Sequence, residues 1–279
     1  MESIATSQLA SLSHPHRLAI FRLIVRRYPD EVPAGEIATI LSFKANTTSV
    51  YLSNLLDNAL VSQRRKGTSL MYRANLESAE DLIQFLFSDC CRGRVNVCPP
   101  DAAIERRRFE EKRDGKYSVL FVCTGNSARS IFAEAIMRHE AGDKFDVYSA
   151  GARPFSQINP YALEMLESRG METALLRAKN VAEFQTADAP QFDFVFTVCD
   201  LAANEECPTW PRQPISAHWG LPDPVKATGT EAEKRLAFQQ TFGAMTNRIK
   251  AFTALPFASL DRASLQKHAD EIGKIPETT

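Results

Sequence analysis

An apolar run from Tyr117 to Val122 leads straight into Cys123-Thr124-Gly125-Asn126-Ser127-Ala128-Arg129-Ser130, and an amphipathic stretch, Ser130–Ala141, follows. A short loop of small residues between a buried strand and a helix restricts the backbone severely. Its consecutive N–H groups, from Thr124, Gly125, Asn126, Ser127, Ala128 and Arg129, can turn inward as a nest for an anion, and the helix N-terminus adds its positive end. Arg129 offers a planar fork that holds two oxygens at once. The same field is expected to lower the Cys123 pKa and supply a thiolate at neutral pH. Gly125 relaxes the backbone, Asn126 can brace the loop through its amide, and Ser130 can donate to the sulfur. The loop predicts a thiolate aimed at a tetrahedral oxyanion. A buried cysteine and a surface arginine that merely fall six apart would not need this strand–loop–helix setting.

The surroundings agree with that setting. Strand-like runs at Tyr117–Val122, Asp146–Gly151 and Phe192–Val198 alternate with helical patterns at Ser130–Ala141, Asn159–Arg169 and Glu231–Thr253. This alternation predicts an α/β domain, residues 117–256, with a parallel sheet flanked by helices. Residues 257–279 read as a polar C-terminal tail.

Residues 1–98 have another character, mostly α. Leu18, Phe21, Ile24 and Val25 mark one face of a helix over His14–Tyr28, and Pro33 opens a second helix through Leu41. Asn46 or Thr47 can cap a third helix carrying Val50, Leu52, Leu55 and Leu56. Ser42-Phe43-Lys44-Ala45 between them suits a helix-turn-helix. Two strand-like runs, Leu60–Lys66 and Ser69–Arg73, meet at Gly67-Thr68 as a hairpin with a basic tip. A last helix, from Leu76 to about Arg92, presents Leu82, Ile83 and Leu86 on one side, and His14 and His16 read as packing or capping residues. Residues 99–116, with Pro99-Pro100 and dense alternating charge, read as a linker.

Composition narrows the function classes. No apolar stretch approaches the roughly 18 residues that span a bilayer, and the N-terminus lacks a basic-then-apolar signal, so a cytoplasmic protein without membrane contact is expected. The formal net charge is −1, which excludes a globally basic surface. Eleven Lys or Arg against nine Asp or Glu leave residues 1–98 slightly positive, enough for a local patch. The six cysteines fall into two groups, and in a reducing compartment such groups read as ligands or redox catalysts.

Val122-Cys123-Thr124-Gly125-Asn126-Ser127-Ala128-Arg129-Ser130 resembles the active-site loop of the low-molecular-weight tyrosine phosphatase family, and Asp223-Pro224 matches that family's general acid. Two more cysteines, Cys199 and Cys207, and the segment His218-Trp219-Gly220-Leu221-Pro222-Asp223-Pro224 resemble the arsenate reductases built on that fold. The resemblance implies a relay. Cys123 attacks arsenate, Asp223 assists loss of hydroxide, Cys199 takes the sulfur of the adduct, and Cys207 receives the disulfide. An external dithiol, thioredoxin or a glutaredoxin–glutathione system, closes the cycle. It implies no tightly bound cofactor, but a potassium ion near the loop, on Asn126, Glu134 and Ser149 with Glu183 as the candidate acidic ligand.

The N-terminal pattern resembles the winged helix-turn-helix repressors of the ArsR type. That implies a homodimer on operator DNA, with Thr47, Thr48, Ser49, Tyr51 and Ser53 facing bases or phosphates and Arg64, Arg65 and Lys66 on the backbone. Cys90, Cys91 and Cys98 resemble the arsenite site of such repressors, since thiolates suit a soft three-coordinate ion. The expectation is a fusion of an arsenite-responsive repressor with an arsenate reductase. The alternatives are a tyrosine phosphatase fused to a DNA-binding domain and a purely regulatory anion sensor.

Overall fold

The computed structural model describes residues 2–90, 115–155, 157–186, 188–204 and 214–276. The chain divides into two compact units, Met1–Arg106 and Arg107–Thr279. Among the described residues, no helix is long and apolar enough to cross a membrane.

The N-terminal unit opens with α1 (Glu2–Leu12) and α2 (Pro15–Arg26), continues through β1 (Val32–Pro33), α3 (Ala34–Ile40), α4 (Ala45–Asp57), β2 (Val61–Lys66) and β3 (Ser69–Ala74), and ends in α5 (Leu76–Phe85) with a π-helical turn, Leu86–Cys90. Helix α2 starts where His14 accepts the His16 N–H and Pro15 fills the first turn, which bears out the capping role read for His14. The sheet order is β1-β3-β2, all antiparallel. Gly67, at φ 62°, makes the turn between β2 and β3 that a side chain would resist.

Several expected faces shift. The core stripe of α2 is Ile20, Leu23 and Ile24, while Leu18 points outward. The stripe of α4 is Thr48, Leu52 and Leu55, with Val50 67% exposed. Helix α4 begins after Lys44 and has no side-chain cap, so neither Asn46 nor Thr47 caps it. Ile83 on α5 is exposed. Helix α1, which the sequence pattern did not single out, packs Ala5 inward and ties Gln8 to Ser78 and Ser11 to Asn54.

The C-terminal unit contains β4 (Tyr117–Cys123), α6 (Arg129–Ala141), β5 (Phe145–Gly151), α7 (Pro160–Glu167), β6 (Phe194–Thr197), α8 (Asp200–Asn204), β7 (Ile215–His218), α9 (Glu231–Thr253) and α10 (Arg262–Gly273). Its sheet runs β5-β4-β6-β7, entirely parallel, which bears out the α/β expectation. Both faces are covered, so β4 and β6 are nearly continuous apolar runs. Phe196 stacks on Trp219 at 4.1 Å, and Phe252 and Phe257 close the same side. The strand order reverses between β4 and β6, and a doubly wound sheet opens its crevice at that point, beyond the carboxyl ends of the strands.

The polar tail expected over residues 257–279 is replaced, as far as Ile275, by structure that joins the core. Helix α10 buries Leu265 and Ala269, Trp219 donates its indole N–H to the Ala269 carbonyl at 2.9 Å, and Gln266 holds Ser216 on β7. Its apolar positions recur every three to four residues among many charged ones, a sparse stripe that composition alone conceals.

Candidate active site

The loop between β4 and α6 is fixed from outside by its own carbonyls. Those of Cys123, Thr124, Gly125 and Ser127 accept the N–H groups of Ala152, Arg153, Phe155 and Asn159 at 2.9–3.0 Å. In a trans peptide the N–H points opposite the carbonyl, so the N–H groups of Thr124, Gly125, Asn126 and Ala128 turn toward the loop's interior. The Asn126 N–H meets the Cys123 Sγ at 3.0 Å. Helix α6 has no side-chain cap, and its N-terminus, at Arg129, faces the same interior. Such an arrangement can hold an anion.

The left-handed residue in the loop is Asn126, at φ 44°. A short amide side chain tolerates that conformation. Gly125 is needed for space: a Cβ there would come within 2.5 Å of the Phe155 ring. Gly151 serves likewise on the other side, where a Cβ would meet the Thr124 carbonyl oxygen at 2.6 Å.

Cys123 is 3% exposed, and Ser130 Oγ lies 2.8 Å from its sulfur. Burial pushes the Cys123 thiol up, and the neighbouring Cys199 adds to the rise. Ser130, the Asn126 N–H and Arg129 only partly oppose them. The depressed thiol expected from the loop is therefore not found. Burial is the main reason, and Arg129 still opposes it; its Nη1 donates to the Leu221 carbonyl and its Nη2 to Asp223 Oδ2, both at 2.9 Å. That pair also brings Asp223 to the mouth of the loop, where it begins the turn Pro224–Lys226.

Cys199 follows β6, the strand beside β4, with Thr197 in register with Val122. It is 2% exposed, and its Sγ lies 3.3 Å from Thr124 Oγ1. The two cysteines thus emerge from adjacent strands, which lie about 4.8 Å apart in a sheet. Cys207, Cys91 and Cys98 lie outside the described residues. Cys90 is exposed.

Behind the loop stands a buried polar network that sequence reasoning only half identified. Asn126 Nδ2 donates to Ser130 Oγ at 2.9 Å and to Ser149 Oγ at 2.8 Å, and its Oδ1 accepts the Lys179 N–H at 2.7 Å. Glu134, 2% exposed, accepts from Ser149 at 2.5 Å, from Lys179 Nζ at 2.9 Å and from Arg138 at 2.6 Å. The expected potassium ligands Asn126, Glu134 and Ser149 do converge, but the Lys179 ammonium is the cation among them. This corrects the potassium expectation, since a second cation there would face an ammonium charge in a closed space. Glu183 is turned outward to Arg177. No sequence motif announces Lys179; only its burial against a carboxylate does.

In the N-terminal unit, Thr47, Ser49 and Ser53 lie on the outer part of α4, Tyr51 is half-buried against His14, His16 and Phe43, and Thr48 is buried and donates to the Lys44 carbonyl. Thr48 cannot contact a partner because it shares the inward stripe with Leu52. Arg64, Arg65 and Lys66 are exposed on the hairpin, and Arg64 forks onto Glu31 at 2.9 and 2.6 Å.

Known proteins match the C-terminal unit. An arsenate reductase of Halalkalibacterium halodurans is 36% identical over 137 residues, 49% of this chain and 95% of the relative. One from Bacillus subtilis is 36% identical over 134 residues, 48% of this chain and 93% of the relative. A solved structure described as an arsenate reductase in the phosphate binding state shares 28% identity, covering 48% of this chain and 94% of that one, with a TM-score of 0.40. The sequence pattern of the low molecular weight phosphotyrosine protein phosphatases matches residues 118–268, more than half of the chain, and the chain belongs to that family.

Proposed function

We propose that the C-terminal unit reduces arsenate to arsenite by a thiol relay. The observation that carries this reading is the second buried thiol, Cys199, whose sulfur lies 3.3 Å from Thr124 of the anion loop. Hydrolysis of a phosphate ester has no use for it, whereas a two-electron reduction needs two sulfurs in reach of one another. The relatives named arsenate reductase favour the same chemistry.

Cys123 gives up its proton and attacks arsenic, and the Asp223 carboxylate carries that proton to the departing hydroxide, which leaves as water. The Cys199 thiolate attacks Cys123 Sγ, a sulfur–sulfur bond forms, and the sulfur–arsenic pair stays on arsenic, which departs as arsenite. Cys207 then displaces Cys123 from Cys199. The Cys199–Cys207 disulfide needs an external dithiol, thioredoxin or a glutaredoxin–glutathione system. Thiol mapping after one arsenate turnover is expected to find Cys199–Cys207 oxidised. Cys199→Ser is expected to abolish arsenite release, by at least about a thousandfold. Arsenite release by Cys199→Ser at the wild-type rate, or aryl phosphate as the better substrate, would replace the reductase by a hydrolase. No turnover of either would leave an anion sensor.

The N-terminal unit is proposed to be a winged helix-turn-helix of the ArsR type, supported by the α3–turn–α4 arrangement and the exposed basic hairpin beside it. Helix α4 would enter the major groove of operator DNA with Thr47, Ser49, Tyr51 and Ser53, and Arg65 and Lys66 would meet phosphate. Arsenite on Cys90, Cys91 and Cys98 would release a homodimer from DNA, so the product of one unit is the effector of the other. Operator release is expected with arsenite, or with arsenate plus reductant. Equal release by arsenate without reductant would break the coupling.

A further inference from the structure

Cys199 sits between two residues that a single imidazole ties together. His218 ends β7 and is in register with Thr197 on β6. Its Nδ1 lies 2.8 Å from Thr197 Oγ1, two residues before Cys199. Its Nε2 lies 3.3 Å from Asp200 Oδ1, one residue after Cys199. A carboxylate only accepts, so Nε2 is the donor to Asp200. The ring is wholly buried. The chain leaves room for this link at Gly220, where a Cβ would come within 2.5 Å of His218 Nε2 and 3.2 Å of Asp200 Oδ1. Main-chain bonds brace the same strand ends: the Trp219 N–H donates to the Thr197 carbonyl at 2.7 Å.

The hydrogen bonds of His218 run to Thr197 and to Asp200, on either side of Cys199. They act on the short stretch that carries the second thiol. Asp200 is the first residue of α8, the helix that follows Cys199 directly. Cys199 must stand against the loop to attack the Cys123 adduct, and later must turn away to reach Cys207. A link at Asp200 that can be made and broken suits both demands better than a rigid core contact would.

We propose that His218 is a positioning residue for Cys199, holding it beside Thr124 through Thr197 and Asp200. The inference rests on the relay reading above. It adds no chemical step: the electron pair still passes from the sulfurs to arsenic, and His218 only sets how often Cys199 is in place.

The test uses the full chain, reduced and then mixed with arsenate for one turnover. The Asp200 side chain is 53% exposed, so Asp200→Ala leaves the core intact. It is expected to slow arsenite release about tenfold, since misplacement of a reacting group by about an ångström costs of that order or more. Asp200→Asn, whose amide oxygen still accepts from Nε2, restores most of the rate. His218→Phe, which keeps the ring volume and loses both links, is expected to slow release at least as much. In all three, the arsenate KM and the rate of iodoacetamide alkylation at Cys123 stay at wild-type values, while alkylation at Cys199 rises in Asp200→Ala and His218→Phe and stays near wild type in Asp200→Asn. Wild-type release rates in both Asp200→Ala and His218→Phe would overturn the proposal. So would a parallel loss of KM, Cys123 alkylation and thermal midpoint, which would mark a merely structural role. Cys199→Ser runs alongside: if it releases arsenite normally, the relay reading falls and takes this one with it. If it is silent while Asp200→Ala is unimpaired, only the positioning role falls.

Discussion

The two units put their polar side chains to opposite use. In the C-terminal unit Asn126, Ser130, Glu134, Ser149, Lys179, Thr197 and His218 are buried and bonded to one another. In the N-terminal unit the polar groups of functional interest, Ser49, Ser53, Arg64, Arg65 and Lys66, stand in solvent. A buried polar group must find its partner or cost several kcal/mol, so each one in the C-terminal unit dictates its neighbour. An exposed group carries no such obligation. The chemistry of the C-terminal unit can therefore be argued from contacts, and that of the N-terminal unit rests on shape, charge and resemblance.

The contrast breaks first at Lys179. If Glu134 depends on that ammonium, Lys179→Met leaves a buried carboxylate with only Arg138 and Ser149. The expected loss is about 3 kcal/mol of folding stability, the low end for one partner removed from a buried pair, because Arg138 remains. Urea denaturation measures it. The wild-type enzyme is also expected to turn over equally in potassium and sodium salts. A wild-type stability in Lys179→Met, or a potassium requirement in the unmodified chain, would mean that Lys179 does not serve as the resident cation.

This network also marks the limit of what the sequence discloses. Cys123, Arg129 and the strand–loop–helix around them were legible because a local motif and a local periodicity coincide. Asp223 and Cys199 became legible through resemblance. Lys179 and His218 were not, because they reach the site only through tertiary folding: Lys179 is brought to Glu134 over a separation of 45 residues. Helix α10 escaped for a related reason, its few apolar residues being diluted by charge. Thr48 was misjudged because a single exposed-looking threonine lies on the inward stripe of α4. The raised Cys123 thiol is not legible in the motif, since it depends first on burial, which only tertiary packing sets.

The N-terminal side of the comparison is sharpened by Arg65 and Lys66. Both are exposed, and Arg65 Nε donates to the Gly67 carbonyl of the turn at 3.2 Å, a solvent-exposed bond on which little stability is expected to depend. The double substitution Arg65→Ala, Lys66→Ala is expected to leave the thermal midpoint within the scatter of ordinary surface changes, about 0.5 kcal/mol. On the proposed DNA-binding reading, affinity should fall by about 2 kcal/mol, evenly across sequences, and the slope of log affinity against log salt should shrink by about 1 for each lost phosphate contact. Fluorescence anisotropy over a salt series reads both. Unchanged affinity and slope would remove the hairpin from the DNA interface and leave only the turn between α3 and α4 to support that reading.

The smallest effect comes from Asp270, a half-buried carboxyl on α10 of the C-terminal unit. Burial pushes it from the ordinary 3.8 up to about 6, and Gln266 and Lys274 only partly offset this. Between these values the folded chain holds a proton that the unfolded chain has released. Stability is thus fully favoured below about pH 4 and declines as pH rises through 6, where the buried carboxylate must ionise. Asp270→Asn keeps the shape and the bond from Gln266 but cannot ionise. It should flatten that part of the stability profile and gain on the order of 1 kcal/mol at pH 7.5 relative to pH 4.5, once partial exposure is allowed for. Denaturant midpoints at the two pH values measure the gain. If the two profiles superimpose, Asp270 reaches water when charged, and the rule that this unit satisfies its buried groups by partners has no exception at α10.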